Sequence, residues 1–115
     1  MGIDEPAIDP ERFLDDVEMR IGEIISVEDF PEARKDVYKL GVDFGKETLQ
    51  SAAGLMRYDR DALLGQQVVA VVNLGTVRIA GFESQCLVTG VDAADGEGVV
   101  HLQPERAVEN GTWVY

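Results

Sequence analysis

The first clear strand in this sequence changes phase halfway along. Val17, Met19 and Ile21 alternate with Glu18, Arg20 and Gly22, the period of two that turns one face of a strand to a core and the other to water. After Gly22 the apolar positions move to Ile24, Ile25 and Val27, out of step with the first run. One extra residue in a strand produces such a shift, and the bulge it makes bends the strand and increases its twist. A bulge at Gly22 therefore predicts a long, curled strand of the kind a closed sheet needs.

The rest of the chain supplies partners for it. Tyr38, Leu40, Val42 and Phe44 make a second strand, ended by Gly45-Lys46, and Leu49, Ser51, Ala53 and Leu55 make a third. YDRDALLG then offers a single helical piece, with Asp59 as its cap, Leu63 and Leu64 as packing residues and Gly65 as its terminator. QQVVAVVNL reads as a buried fourth strand, residues 83 to 91 as a fifth, ADGEG as a solvated turn and VVHLQ as a sixth. Upstream, Asp9 and Pro10 suit the N-cap and first position of a short helix carrying Phe13 and Leu14. So short a helix is not stable alone in water and must dock on the body or on a partner subunit. An all-β barrel follows, and a helix between the third and fourth strands is the order of the OB-fold. A chain of 115 residues leaves room for one such core.

Charge narrows the function classes. Asp and Glu number 22 against 10 Lys and Arg, for a formal net charge of -12, and the acids are scattered along the chain. Ordinary nucleic-acid binding, which neutralises phosphates with clustered Lys and Arg, is disfavoured by that balance. Only Lys35, Lys39 and Lys46 are lysines. An acidic, lysine-poor surface suits molar salt, where the Debye length falls to about 3 Å and self-repulsion is screened, so a halophilic source is expected. No apolar run approaches the roughly 20 residues needed to span a bilayer, and the N-terminus has neither a basic start nor an apolar stretch. A cytoplasmic location without membrane insertion is the expectation.

Catalytic groups are few. His101 stands alone between Val100 and Leu102, and a partly exposed or hydrogen-bonded structural histidine is expected there. Cys86, the single cysteine, reads as a small buried packing residue. One Cys and one His provide no zinc spacing, and DAADGEG lacks the alternating ligands of a calcium loop. GFESQ is not a nucleophile elbow and GVDFG has no phosphate-loop spacing. The reading is a binding module with no catalytic residues, metal or cofactor. Small barrels bind on an open strand face, with polar or basic groups near glycines. The candidates here are Arg34, Lys35, Gln50, Ser51, Asn73, Arg78 and Ser84. Each has a plain structural alternative, such as a solvated loop for Arg34 and Lys35 or an ion pair for Arg78.

Five segments, VEMRIGEIISVEDFPEAR, KLGVDFG, LLGQQVVAVVNL, VRIAGFESQCLVTG and VVHLQPERAVENGTWV, together resemble the CsaA-like branch of the tRNA-binding-domain family over residues 9 to 115. The family signature NLxxxRxxGxxS falls on Asn73, Leu74, Arg78, Gly81 and Ser84, and LQSAAGL brings Gln50 and Ser51 to the same surface. The resemblance implies a five-stranded Greek-key OB-fold with a C-terminal β extension and no enzymatic activity. It also implies a homodimer built with the terminal extensions, which divides the chain into a lead and helix over residues 1–16 and a barrel with its extension over 17–115. Expected partners are tRNA or other structured RNA, or alternatively unfolded or preprotein segments bound by an export-related chaperone. Cys86 and Leu87 replace the Gly-Met pair common in RNA-binding relatives, and PEARKD replaces the loop of the synthetase-linked domains. Both departures point to the CsaA branch.

Overall fold

The computed structural model describes residues 2–115. It is all-β with two short helices: α1 (Pro10–Asp16), β1 (Met19–Asp29), β2 (Tyr38–Asp43), β3 (Thr48–Ala53), α2 (Arg60–Leu63), β4 (Gln67–Val71), β5 (Val77–Ile79), β6 (Phe82–Ser84), β7 (Leu87–Val88), β8 (Gly90–Asp92), β9 (Val99–His101) and β10 (Trp113–Val114). The main sheet is antiparallel in the order β3-β2-β1-β4-β7, with β10 paired to the start of β1. Two further hairpins, β5-β6 and β8-β9, hang from it.

Five expected strands appear close to their places, but residues 83 to 91 do not form one strand. They divide into the end of β6, then β7, then the start of β8. Gln85 leaves the strand to bond across to β3, and Gly90 begins the next hairpin opposite His101.

The bulge is real but lies three residues beyond Gly22. Register against β2 shifts between Ile24 and Ser26, leaving Ile25 as the extra, exposed residue. Gly22 has a different purpose: a Cβ there would lie 2.5 Å from Val42 Cγ1 and 2.6 Å from the Phe44 ring, so glycine makes room for both in the core. Ile24, Leu40, Val42, Leu55, Leu63, Val68, Ala70 and Cys86 fill the barrel, and Leu63 carries α2 into it.

Met19 and Ile21 face away from that core. Cross-strand partners share a face, and the row Val114-Met19-Val71-Leu87, with the neighbouring pair Ile21-Val69, makes a second apolar surface on the outside of β1, β4, β7 and β10. Ile21 is 5% exposed and Val71 9%, yet Leu87 in the same row is 52% exposed.

α1 begins at Pro10 as expected, with Asp9 in the cap position, but the Asp9 side chain makes no capping bond, and neither does that of Asp59 before α2. No residue of α1 is buried, and Phe13 and Leu14 remain exposed. Asn73, two residues beyond β4, holds the junction that follows. Its Oδ1 accepts from Glu18 N–H and its Nδ2 donates to Asp16 O, both at 2.9 Å.

Candidate functional site

The barrel is closed between β3 and the β6-β7 segment by a seam of mixed bonds. Gln85 N–H donates to Gln50 O at 2.8 Å, and Gln50 N–H donates to Gln85 Oε1 at 2.9 Å. The Gln50 side chain reaches Glu83 O at 3.2 Å, Ser51 Oγ donates to Cys86 O at 2.8 Å, and Ala52 N–H donates to Ser84 Oγ at 3.1 Å. Three of the candidate residues thus stitch the barrel: Gln50, Ser51 and Ser84. Ser51 is 1% exposed and lies on the core face, opposite to Gln50, because side chains alternate along a strand. It does not share the surface of Gln50. Cys86, beside it, is buried as expected, and burial pushes its thiol up to about 11.

Outside this seam, β1, β2 and β3 present a polar face. Register places Glu28, Lys39 and Ala52 in one row and Ser26, Gly41 and Gln50 in the next. A Cβ on Gly41 would lie 2.4 Å from Ser26 Oγ, so glycine lets Ser26 lie across the strand and keeps the floor low. At one end the rings of Phe30 and Phe82 meet edge to face, 5.5 Å apart. Lys39 Nζ sits 4.7 Å from the Phe30 centroid and 5.7 Å from that of Phe82.

Phe82 arrives on the β5-β6 hairpin, whose turn residues Ala80 and Gly81 both have positive φ, 46° and 83°. Mirror-image hairpin turns have that backbone sign, which matches the twist of the strands. Arg78 on the same hairpin pairs with Glu83 at 2.7 Å, both side chains well exposed. Arg34 and Lys35 are exposed in the loop between β1 and β2.

Of the seven sequence candidates, therefore, Gln50, Ser84 and Arg78 gather at the β3-β6 edge, Arg34 and Lys35 stand on the adjoining loop, Ser51 is in the core and Asn73 is at the α1 junction. Lys39 escaped the sequence reading, since a lone lysine between Tyr38 and Leu40 looks like any outward strand position. Its signal was the outward alternation Lys39, Gly41, Asp43 beside an apolar inner face.

His101 departs from expectation. It is 7% exposed, stacks edge to face on Tyr58 at 5.2 Å, and neither ring nitrogen has a hydrogen-bond partner. Burial holds its pKa below the ordinary value, and Gln103 opposes this only in part, its geometry falling short of a hydrogen bond to the ring.

A separate cleft of about 740 Å³ opens between the β2-β3 turn and the C-terminal segment, lined by Arg20, Phe44, Lys46, Leu49 and Asn110 among others. None of the seven candidates lines it. Among the described residues no three His, Cys, Asp or Glu side chains converge on a metal position, and no helix is long and apolar enough to cross a membrane.

A nearly closed antiparallel barrel with a helix before its fourth strand and a polar outer strand face defines an OB-fold protein. Residues 19–113 match the family described as "Putative tRNA binding domain", and the chain belongs to that family. Within it the chain is CsaA-like. It is 41% identical to the chaperone CsaA of Bacillus anthracis, with a TM-score of 0.85 over 96% of this chain and 100% of that one. The CsaA chaperone protein of Picrophilus torridus superposes with the same TM-score at 34% identity, over 94% of this chain and all of that one. The methionine-tRNA ligase of Thermococcus onnurineus is 40% identical over 96 residues, covering 83% of this chain. The chain spans only 13% of that ligase's length.

Proposed function

We propose that this protein is a noncatalytic, homodimeric module of the CsaA type that binds tRNA or another structured RNA on the outer face of β1, β2 and β3. The observation that carries the reading is that face itself, floored by Gly41 and edged by Lys39, Phe82 and Arg78, on a barrel of a tRNA-binding family. Residues 17–115 form the binding unit, residues 1–16 serve assembly, and the protein works in the cytoplasm. Dimerisation accounts for the second apolar surface, because Leu87 continues the row of Met19 and Val71 into solvent, and for the exposed Phe13 and Leu14 of α1. Two modest sites on one rigid dimer gain effective concentration, which offsets the unfavourable charge of -12.

A second reading, a chaperone for unfolded or preprotein segments, is favoured by the match to CsaA chaperones along their entire length. Apolar capture is not weakened by salt, so it suits an acidic protein. Equilibrium binding to total tRNA and to an unfolded reporter peptide across a salt series tests both. Binding of tRNA in preference to peptide supports the first reading, peptide alone supports the second, and binding of neither removes both. Sedimentation equilibrium tests the dimer.

A further inference from the structure

Ion pairing in this protein leaves a conspicuous remainder. Among the described residues, Arg12, Arg20, Arg57, Arg60, Arg78 and Arg106 each have a carboxylate within 4.0 Å. Arg34, Lys35, Lys39 and Lys46 do not. In a chain with more than twice as many acids as bases, a cation without a partner is the unusual case. Three of these four fall within residues 34 to 39, on the β1-β2 loop and at the second residue of β2.

Lys39 is the informative member. Glu28 stands opposite it in register on β1, close enough for a cross-strand pair, yet the ammonium is turned to the rings of Phe30 and Phe82. Two aromatic rings hold a positive charge in place without neutralising it. Phe30 is buried and acts as the support, while Phe82 is only partly buried and keeps part of its ring open to solvent.

We infer that Lys39 and Phe82, supported by Phe30, form the recognition subsite of the binding face and that it takes one unpaired nucleotide. The base lies against the open part of the Phe82 ring and the adjoining phosphate meets the Lys39 ammonium. Arg34 and Lys35 follow the sugar-phosphate chain as it leaves the face. This rests on the RNA-binding reading above and adds to it the kind of RNA element recognised. Duplex bases are already stacked and present no free ring, so the segment bound is a loop or a single-stranded end. An apolar peptide side chain gains nothing from a fixed cation beside its pocket, whereas a phosphodiester does.

The test is fluorescence anisotropy with a short labelled oligouridylate and, in parallel, total tRNA, each across a salt series, with thermal melts of every variant. Lys39→Gln is expected to weaken oligouridylate binding about tenfold and to lower the slope of log affinity against log salt by about 0.7, the value of one single-strand phosphate contact. Lys39→Arg restores the slope. Phe82→Leu is expected to lose about tenfold with the slope unchanged, since stacking carries no counterion release. The exposed double variant Arg34→Gln with Lys35→Gln lowers the slope further and keeps the wild-type melt, so the inference remains testable should Lys39→Gln unfold. Wild-type slope and affinity in Lys39→Gln or in the double variant overturn the inference alone. So does binding of tRNA without any binding of oligouridylate. Binding of neither RNA by the wild type overturns the RNA reading together with it, and peptide binding in that case leaves the chaperone reading standing.

Discussion

The side-chain oxygen of Asn73 accepts a 2.9 Å hydrogen bond from the backbone N–H of Glu18, 55 residues earlier, while its nitrogen donates to Asp16 O. One amide thereby pins the end of α1 to the segment just beyond β4. Asn73→Ala is expected to remove about 1 kcal/mol and lower the melting temperature by a few degrees. The same melt with reduced tRNA affinity would show that Asn73 meets the ligand and does not serve as the clamp.

Ser51 and Cys86 form a buried pair across the seam, with the Ser51 hydroxyl donating to the Cys86 carbonyl. Ser51→Ala leaves that carbonyl without its partner and is expected to cost about 1 to 3 kcal/mol, read as a lowered denaturant midpoint. Because burial holds the thiol near 11, Cys86 in the folded protein should react with a thiol reagent at pH 8 far more slowly than in denaturant. Equal rates in the two states would contradict the closed seam.

His101 couples folding to pH. Burial places its folded pKa below the ordinary 6.5, so the unfolded chain binds the proton more readily and stability must fall as pH drops through 6.5 toward the folded value. The Tyr58 ring stacked against it offers the imidazolium no anion. Denaturant midpoints measured from neutral pH downward should decline in the wild type and decline less in His101→Leu over the window just below 6.5. Identical slopes in the two proteins would remove His101 as the cause.

Arg78 and Glu83 make an ion pair with side chains 70% and 44% exposed. Such a pair contributes between about 0 and 1 kcal/mol, so Arg78→Ala should leave the melt nearly unchanged. Reduced tRNA affinity in that variant then reports a ligand contact, and unchanged affinity assigns Arg78 to the hairpin alone.

Screening of the net charge of -12 predicts a dependence on salt. Adaptation to molar salt predicts loss of the β-sheet circular dichroism signal on dialysis into dilute buffer, and its return when salt is restored. A protein that stays folded in dilute buffer is not adapted in that way.

Local pattern made much of this architecture legible. Alternation at Tyr38, Leu40 and Val42 gave β2 its inner face, and Asp59 to Gly65 marked the helix before β4. The bulge was legible as a fact but misplaced, because a glycine in a strand and an extra residue produce the same break in an alternating pattern. Gly22 answers to the Val42 and Phe44 side chains, while Ile25 answers to the register with Gly41, and neither neighbour is close in sequence. The bonding roles of several candidate side chains were hidden for a related reason. A polar side chain near glycines looks alike whether it awaits a ligand or bonds a distant backbone, as Asn73, Ser51 and Ser84 do.

The sequence by itself determined the all-β class, the short helices and the kinship with CsaA, because periodicity and ordered segments are properties of the chain read locally. Tertiary structure alone decided which polar groups are spent on closing the barrel and which cations stay unpaired. That division depends on hydrogen bonds and ion pairs between strands far apart in sequence. Lys39 illustrates the point: its register partner is an acid, its actual neighbours are the rings of Phe30 and Phe82, and only folding brings the second of those to it.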